Sequence, residues 1–482
     1  MGENLAPASS SLRLAPWSLL AALTIAALAA CSSDPGSGGA DGSGDSADGS
    51  GDTGLDAEPD GSGEPDTLPE DTTEADTTPP DTSGDGSGDT VDESLDTEPP
   101  DTGSPDTKPP GCPPGLRPVA FGEDLTLGML DAVRELPRCA AAAFTAVIAS
   151  GTRWRIRFIG LPADARLFAY TPHYFATVGT TESREPIASS GFVGAGGEGW
   201  LDVSPPFSGE VVIVVERDLL EDAVTARVTT SCSSGCDRRT TRFPTLLVHG
   251  YFGTDTYFGL LDYFHDVPDR LREAGYDVRT PITDAFNWSE VRGEQLAAQV
   301  DEVLRETGAR KVNLIGHSQG GLDSRVLISG LGYADRVASL TTVATPHHGT
   351  PLLIQEIASV QDFSPDYMEG TFNPAYPDAP GVTYWSWSGR TCGLLDFACQ
   401  SANDGETADP ILLAFFISLS RFGANDGFVP TSSAAWGTDL GTLSADHMDQ
   451  VGQIADGISS NDPFDHRAFY RSELDRLAAA GF

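Results

Sequence analysis

Basic side chains are scarce in this chain. Against 71 Asp and Glu stand only 29 Lys and Arg, a formal net charge of −42 over 482 residues. A field of that sign repels phosphate backbones, so nucleic-acid recognition through a general basic surface is excluded. Long apolar runs are scarce too. One exists, at the N-terminus, and that excludes a multi-pass membrane protein. Residues 32–110 have almost no large apolar side chain; they carry 23 acids and one base, Lys108, and so hold −22 of the −42. Such a segment cannot bury enough surface to offset its ordering entropy, and disorder is expected. Its Asp, Gly, Ser, Thr and Pro recur without a fixed period, and like-charge repulsion together with Pro predicts an extended tether. The acids lack regular ligand spacing, which disfavours a calcium-binding repeat.

What is present begins with an address. Leu12 to Ala30 is an apolar run with Arg13 as its one basic side chain, ending in Leu28-Ala29-Ala30-Cys31. Small residues before a cleavage point mark a secretory signal. With cysteine directly after that point, the segment resembles a bacterial lipobox. The resemblance implies that Cys31 is lipidated and becomes the mature N-terminus, and that Ser32 favours the outer over the inner membrane of a Gram-negative cell. Acyl chains in a bilayer would anchor the protein there. Setting Cys31 aside, six cysteines remain: Cys112, Cys139, Cys232, Cys236, Cys392 and Cys399. An even number in an exported chain predicts disulfides. Cys392 with Cys399 is the expected local pair, and the other four allow three pairings.

The folded part divides by pattern. Residues 111–238 read as a small all-β domain. Arg153 to Ile159, Glu210 to Glu216 and Val224 to Val228 alternate or run apolar between Gly and Pro signals, as in an antiparallel sandwich. No cluster of chemical groups occurs there, and a spacer or protective module is the expectation. From 239 to 482 strands and helices alternate, the mark of an α/β sheet. Phe243 to Val248 and Lys311 to Ile315 are buried strands, and residues 293–306 place Leu296, Val300, Val303 and Leu304 on one helical face.

The second of these strands runs straight into Gly316-His317-Ser318-Gln319-Gly320-Gly321. Gly-x-Ser-x-Gly between a buried strand and a helix is a nucleophile elbow, in which a tight turn pushes the serine hydroxyl out at the edge of the sheet. Ser318 is therefore the candidate nucleophile, with the N–H of Gln319 facing a developing oxyanion. A serine needs a base and the base an orienting acid, in the chain order Ser, Asp or Glu, His. His347 and His348 follow the next strand too closely, and His466 belongs to a terminal helix. His447, in a late polar loop, is the expected base. Asp426, on the turn Asn425-Asp426-Gly427, is the expected acid; Asp404 and Asp446 are its rivals.

These stretches carry a resemblance. Leu247-Val248-His249-Gly250, Val291 to Leu296, Lys311 to Gly321, Thr345 to Gly349, Tyr384 to Gly389, Asn425-Asp426-Gly427 and His447 to Val451 occur in order. Residues 243–480 are thereby similar to the bacterial true lipases of the Pseudomonas–Burkholderia type, which are α/β-hydrolases. The resemblance implies the triad Ser318, Asp426 and His447, a second oxyanion donor in the N–H of Tyr251, and a brace for the oxyanion loop in Arg292. It also implies a structural calcium site with the carboxylates of Asp409 and Asp449 and the carbonyls of Gln453 and Gly457, and no organic cofactor. Oxygen ligands with two carboxylates suit that ion. Two departures stand out. The interval from His348 to Trp387, where the family inserts a helical lid, is only about forty residues. That shifts the expectation toward shorter acyl chains or more accessible esters. Ser432 stands where the family has a disulfide cysteine, which leaves dependence on a dedicated foldase open.

The expected function is hydrolysis of lipid carboxylic esters through an acyl-enzyme, in the manner of a triacylglycerol lipase. A short-chain carboxylesterase or polyester depolymerase is the enzymatic alternative. A surface-anchored binding protein on an inactive hydrolase scaffold is the non-enzymatic one.

Overall fold

The structure is a computed structural model and describes residues 119–482 except 177–185, 192, 194–196, 218–221, 252–262, 353–361 and 454–463. The secretory signal, Cys31, the acidic tether, Gly457 and part of the lid interval lie outside the described residues.

The β-rich region holds β1 (Val119–Phe121), β2 (Ala132–Leu136), β3 (Ala141–Ile148), β4 (Arg153–Ile159), β5 (Ala165–Tyr170), β6 (Ala188–Ser189), β7 (Glu198–Val203), β8 (Gly209–Arg217) and β9 (Val224–Ser234). They form two sheets, ordered β1-β3-β8-β5-β6 and β2-β9-β4-β7. One core joins the facing sides, with Phe144, Leu167 and Ile213 from the first sheet and Ile156, Phe158, Leu201 and Val228 from the second. In β4 the alternation is the expected one: Ile156 and Phe158 point inward, and Arg155 and Arg157 pair outward with Asp202 and Glu198. The Val-Val-Ile-Val-Val run of β8 does not alternate because both of its faces are covered. Val211, Ile213 and Val215 enter the sandwich core, while Val212 and Val214 pack with Ala143 and Tyr170 on the other side. The sandwich departs from the antiparallel expectation at one edge, where β1 pairs with β3 in parallel. Such a pairing joins strands separated in the chain, so local alternation carries no sign of it.

The α/β region is a six-stranded sheet. Its strands are β10 (Thr245–Val248), β11 (Val278–Arg279), β12 (Val312–His317), β13 (Val337–Val343), β14 (Thr383–Arg390) and β15 (Thr438–Ser444), in the order β11-β10-β12-β13-β14-β15. Every pairing is parallel. The strands read as unbroken apolar runs because helices cover both faces. Leu247, Ile315 and Val343 face one layer with Leu271, Tyr470 and Leu474. Leu246, Val248, Leu314 and Leu340 face the other, against Leu296, Val300 and Val303 of α1 (Ser289–Thr307). Leu304, expected on that same face, is only partly buried at its margin.

The two regions meet through a buried carboxylate. Glu210 on β8 takes ion pairs from Arg310 at 2.7 Å and Arg242 at 3.3 Å, and the Ser208 hydroxyl donates to the carbonyl of Gly275 at 2.6 Å. The disulfides are Cys232–Cys236 and Cys392–Cys399, and Cys139 is also disulfide-bonded. Among the described residues no helix is long and apolar enough to cross a membrane.

One topological point positions the site. The chain leaves β10 for β11 on one side and returns to β12 on the other, so sheet order reverses at β10. In open parallel sheets the crevice beyond the carboxyl ends of the strands at such a reversal is where ligands bind. Ser318 follows the carboxyl end of β12, and His249-Gly250-Tyr251 follows that of β10.

Candidate active site

Ser318 lies between β12 and α2 (Gln319–Arg325) with φ 53° and ψ −129°, a backbone conformation that side-chain-bearing residues rarely adopt. Its surroundings explain the glycines. A Cβ on Gly316 would come within 2.6 Å of the Gly321 nitrogen, and one on Gly320 within 2.3 Å of the Val248 carbonyl oxygen. The turn is held by hydrogen bonds from the Ser318 N–H to the Val343 carbonyl at 2.9 Å and from the Thr345 hydroxyl to the Ser318 carbonyl at 2.8 Å. Gln319 is the first residue of α2, so its N–H has no acceptor within the helix. Its side chain is pinned beneath, donating to the Asn287 carbonyl at 2.8 Å.

The loop after β10, where an oxyanion donor is expected, abuts this turn. Gly250 approaches so closely that a Cβ there would stand 2.7 Å from the Cβ of Ser318. Arg292, wholly buried, donates to the carbonyls of His249 at 2.7 Å, Gly250 at 3.2 Å and Asp284 at 2.5 Å. Its fourth partner is Asp323 at 2.7 Å, also wholly buried. Arg292 thus stands in the first turn of α1 with its ion pair wholly buried. Burial pushes the Asp323 carboxyl up to about 6 even with the guanidinium opposing it. Burial and the nearby Arg292 charge hold His249 down at about 4, so its imidazole is neutral and accepts from the Thr283 N–H at 3.0 Å. Tyr251 is half-buried, with its ring edge-on to Phe286 at 5.3 Å and its hydroxyl pushed up to about 12 by burial.

The expected acid, Asp426, and the expected base, His447, follow β14 and β15 respectively. His447 Nδ1 lies 2.8 Å from Asp426 Oδ2, and the His447 N–H donates to the Asp426 carbonyl at 2.8 Å. The rest of the Asp426 carboxylate is occupied by the N–H groups of Phe428 and Val429 at 3.0 and 2.7 Å and by the Gln450 amide at 3.2 Å. The imidazole of His447 lies 4.6 Å, centroid to centroid, from that of His317, the residue before Ser318. His317 is fully buried, held far below the ordinary imidazole range by desolvation, and bonded through Nδ1 to the Tyr263 hydroxyl at 2.7 Å. The rival acids are engaged elsewhere. Asp404 takes the Ser444 hydroxyl at 3.0 Å, and Asp446 accepts the N–H groups of Met448, Asp449 and Asp409. His347 is buried against Trp436 and Thr342, His348 pairs with Glu369, and His466 packs at the start of the last helix with its Nε2 2.9 Å from the His265 carbonyl.

A second acidic feature adjoins His447. Oxygens of Glu406, Asp446 and Asp449, all buried, lie within 4.8 Å of one another. Burial and the neighbouring Asp409 charge push Asp446 up to about 7. Three desolvated carboxylates at that spacing suit a hard divalent cation. Of the four positions implied by resemblance, Asp449 is in the cluster and Asp409 beside it. Gln453 turns its side-chain amide to the Tyr263 carbonyl at 3.2 Å. Glu406 had no place in the sequence argument. The signal was there in Asp404-Gly405-Glu406-Thr407-Ala408-Asp409, three acids on one short loop, but nothing local says which of them turns inward.

Comparison with known proteins gives the family. The model of the alpha/beta hydrolase fold matches residues 244–384. A triacylglycerol lipase of Vibrio cholerae is 31% identical over 328 residues, 56% of this chain and 99% of the relative. The chain belongs to the bacterial lipases of the α/β-hydrolase fold. A triacylglycerol lipase of Pseudomonas fragi is 45% identical over a shorter stretch of 116 residues, 24% of this chain and 39% of that protein. One of Burkholderia plantarii is 28% identical over 315 residues, 50% and 87% respectively. The lipase is accordingly a hydrolase of carboxylic esters.

The loop after β10 rests on one buried ion pair, and this gives a prediction. Arg292→Leu leaves Asp323 buried without a counter-charge, at a cost of about 3–5 kcal/mol in stability. Protonation relieves that cost. A carboxyl with a raised folded-state pKa stabilises below its unfolded pKa and ceases to as pH rises through the folded value. The deficit in denaturant midpoint relative to wild type should therefore be larger at pH 8 than at pH 5. A deficit independent of pH would contradict the assignment.

Proposed function

We propose that Ser318, Asp426 and His447 form the catalytic triad and that the substrates are lipid esters of the triacylglycerol kind. The observation that carries this reading is the Asp426–His447 hydrogen bond, set beside a serine in a strained strand-to-helix turn. His447 takes the proton from the Ser318 hydroxyl as the oxygen attacks the ester carbonyl. Asp426 holds the imidazole in the tautomer that leaves Nε2 free to accept, and stabilises the imidazolium that results. The N–H groups of Gln319 and Tyr251 receive the oxyanion; loss of one such donor costs roughly 10²–10³ in rate. The alcohol departs with the proton from His447. Water then enters through the same base and releases the fatty acid. Arg292 fixes the carbonyls of His249 and Gly250, so the loop carrying the Tyr251 donor is set before substrate arrives.

Calcium is proposed at the Glu406, Asp446 and Asp449 cluster, with Asp409 alongside. It would neutralise buried charge and fix the loop two residues from His447; it takes no part in the acyl transfer. Export and anchoring through Cys31 are proposed from the sequence of the first 31 residues, and disulfides in the folded part suit an oxidising compartment. The short interval from His348 to Trp387 favours one variant reading, an enzyme preferring short acyl chains or other accessible esters.

Two measurements test these assignments. On a series of chromogenic esters from acetyl to palmitoyl, Asp426→Asn should lower kcat by about 10⁴ with KM little changed, and the position of the wild-type maximum separates long-chain from short-chain preference. An Asp426→Asn enzyme within tenfold of wild type would contradict the triad. Removing divalent ions with a chelator should lower Tm by several degrees, calcium should restore it, and Asp449→Asn should abolish the response. Identical melting with and without chelator would contradict the calcium site.

A further inference from the structure

Acyl transfer makes no use of a cavity at the seam between the sandwich and the α/β region. Its volume is about 560 Å³, within the range of roughly 300–1,000 Å³ usual for small-molecule sites. The sandwich contributes Leu127, Val147 of β3 and Trp154 of β4 to the lining, and the end of α3 (His466–Ala479) contributes Ala478 and Ala479. The segment Arg238-Arg239-Thr240-Thr241-Arg242, which connects the two regions, lines it with all three of its arginines. That segment leads into the amino end of β10, whereas Ser318 follows the carboxyl end of β12. In a parallel sheet these are opposite ends, so the cavity is no part of the catalytic group.

Three arginines within five residues stand out in so acidic a chain, and their counter-charges are unequal. Arg242 is compensated by Glu210 at 3.3 Å and by Asp124. Arg239, 64% exposed, pairs at 3.1 Å with Asp475, the one carboxylate of the lining, which also takes Arg471 at 3.3 Å and the Tyr276 hydroxyl at 2.6 Å. Arg238 pairs with no carboxylate among the described residues. Its side chain threads the seam: a Cβ on Gly151 of the sandwich would stand 3.3 Å from its Nε, and one on Gly275 of the α/β region 2.9 Å from its Cβ. One Nη donates to the Arg272 carbonyl at 3.0 Å, and the Nε is buried with no hydrogen-bond partner. This guanidinium has lost water without gaining an opposite charge, and its planar fork fits a carboxylate.

We propose that the seam cavity binds one long-chain fatty acid, with its carboxylate on Arg238 beside Arg239 and its chain along Leu127, Val147 and Trp154. A basic end with an apolar, aromatic remainder selects an anionic amphiphile, and a single uncompensated guanidinium suits a monoanion. Ester hydrolysis releases such a molecule. That the ligand is the enzyme's own product rests on the proposed lipase chemistry; its binding at the seam does not.

The test uses full-length protein first treated with a hexadecyl phosphonate ester, which fills the acyl side of the catalytic serine, and then titrated calorimetrically with monomeric oleate. Wild type should bind one oleate per chain. Arg238→Glu should lose about tenfold or more in affinity, and Arg238→Lys, which keeps the charge, should lose less. Methyl oleate should not compete. Trp154→Phe should reduce tryptophan-sensitised emission of bound cis-parinarate, which places the chain in the cavity. Each variant should hydrolyse p-nitrophenyl butyrate within about twofold of wild type. No oleate bound after phosphonate treatment would overturn the proposal. So would equal affinity in Arg238→Glu, competition by methyl oleate as strong as by oleate, or tighter binding of dodecyl phosphate than of dodecanoate, which would make the site one for phosphate headgroups. Should Arg238→Glu fail to fold, Arg238→Lys, Trp154→Phe and the methyl oleate competition decide. A wild type that takes up no phosphonate and cleaves no ester would strike the triad, and the oleate titrations of the Arg238 variants would still decide the seam.

Discussion

Crowding at one turn governs the rest of this molecule. Strand β12 meets α2 so tightly that a methyl group at Gly316 or Gly320 would overlap backbone, and Ser318 is forced to a φ of 53°. Strain of that kind persists only where surrounding structure over-determines it. Here the surroundings are a parallel sheet buried on both faces, a bond from the Ser318 N–H to the neighbouring strand and a threonine hydroxyl on its carbonyl. The sheet reverses its order beside that turn, so the loop after β10 lies within contact of the serine. The core and the site are in this sense one construction, with stability of the first holding the geometry of the second.

His447, the proposed base, is supported differently, by polar groups on loops. Asp426 spends four hydrogen bonds, two to N–H groups of its own turn, one to Gln450 and one to His447. A carboxylate so enclosed has little freedom to swing away. The Asp446 carboxylate organises the next stretch by accepting three backbone N–H groups, and with Glu406 and Asp449 it concentrates charge where a cation would be held. Loops are mobile by default, and this dense bonding compensates.

How much of this was legible in the sequence follows from the range of each interaction. The elbow is local: strand, glycines, serine and helix start lie within about ten residues, and the structure places them as the pattern implied. Asp426 and His447 are not local; chain order and turn chemistry pointed to them over Asp404 and Asp446, and their side chains lie 2.8 Å apart. The β4 strand was readable to its end residues because one face meets the core and the other meets water. The parallel β1–β3 edge, the Cys232–Cys236 pairing, the bond between Tyr263 and His317 and the inward turn of Glu406 were not legible. Each depends on which distant segment arrives beside it, and no periodicity records that. Arg292 is the intermediate case. Its place on a helix was readable, and its role came only through resemblance, because its four partners are drawn from three separate stretches of chain.

The central claim is that Ser318 is a nucleophile activated by His447 and Asp426. Reaction of the folded protein with a fluorescent alkyl phosphonate, followed by mass spectrometry of peptides, tests it most directly. The account predicts one phosphonate per chain, on Ser318, with labelling abolished in Ser318→Ala and slowed by orders of magnitude in His447→Ala while both variants keep the wild-type melting temperature within a few degrees. Labelling of a different residue, or labelling of Ser318 at the same rate without the imidazole, would contradict it.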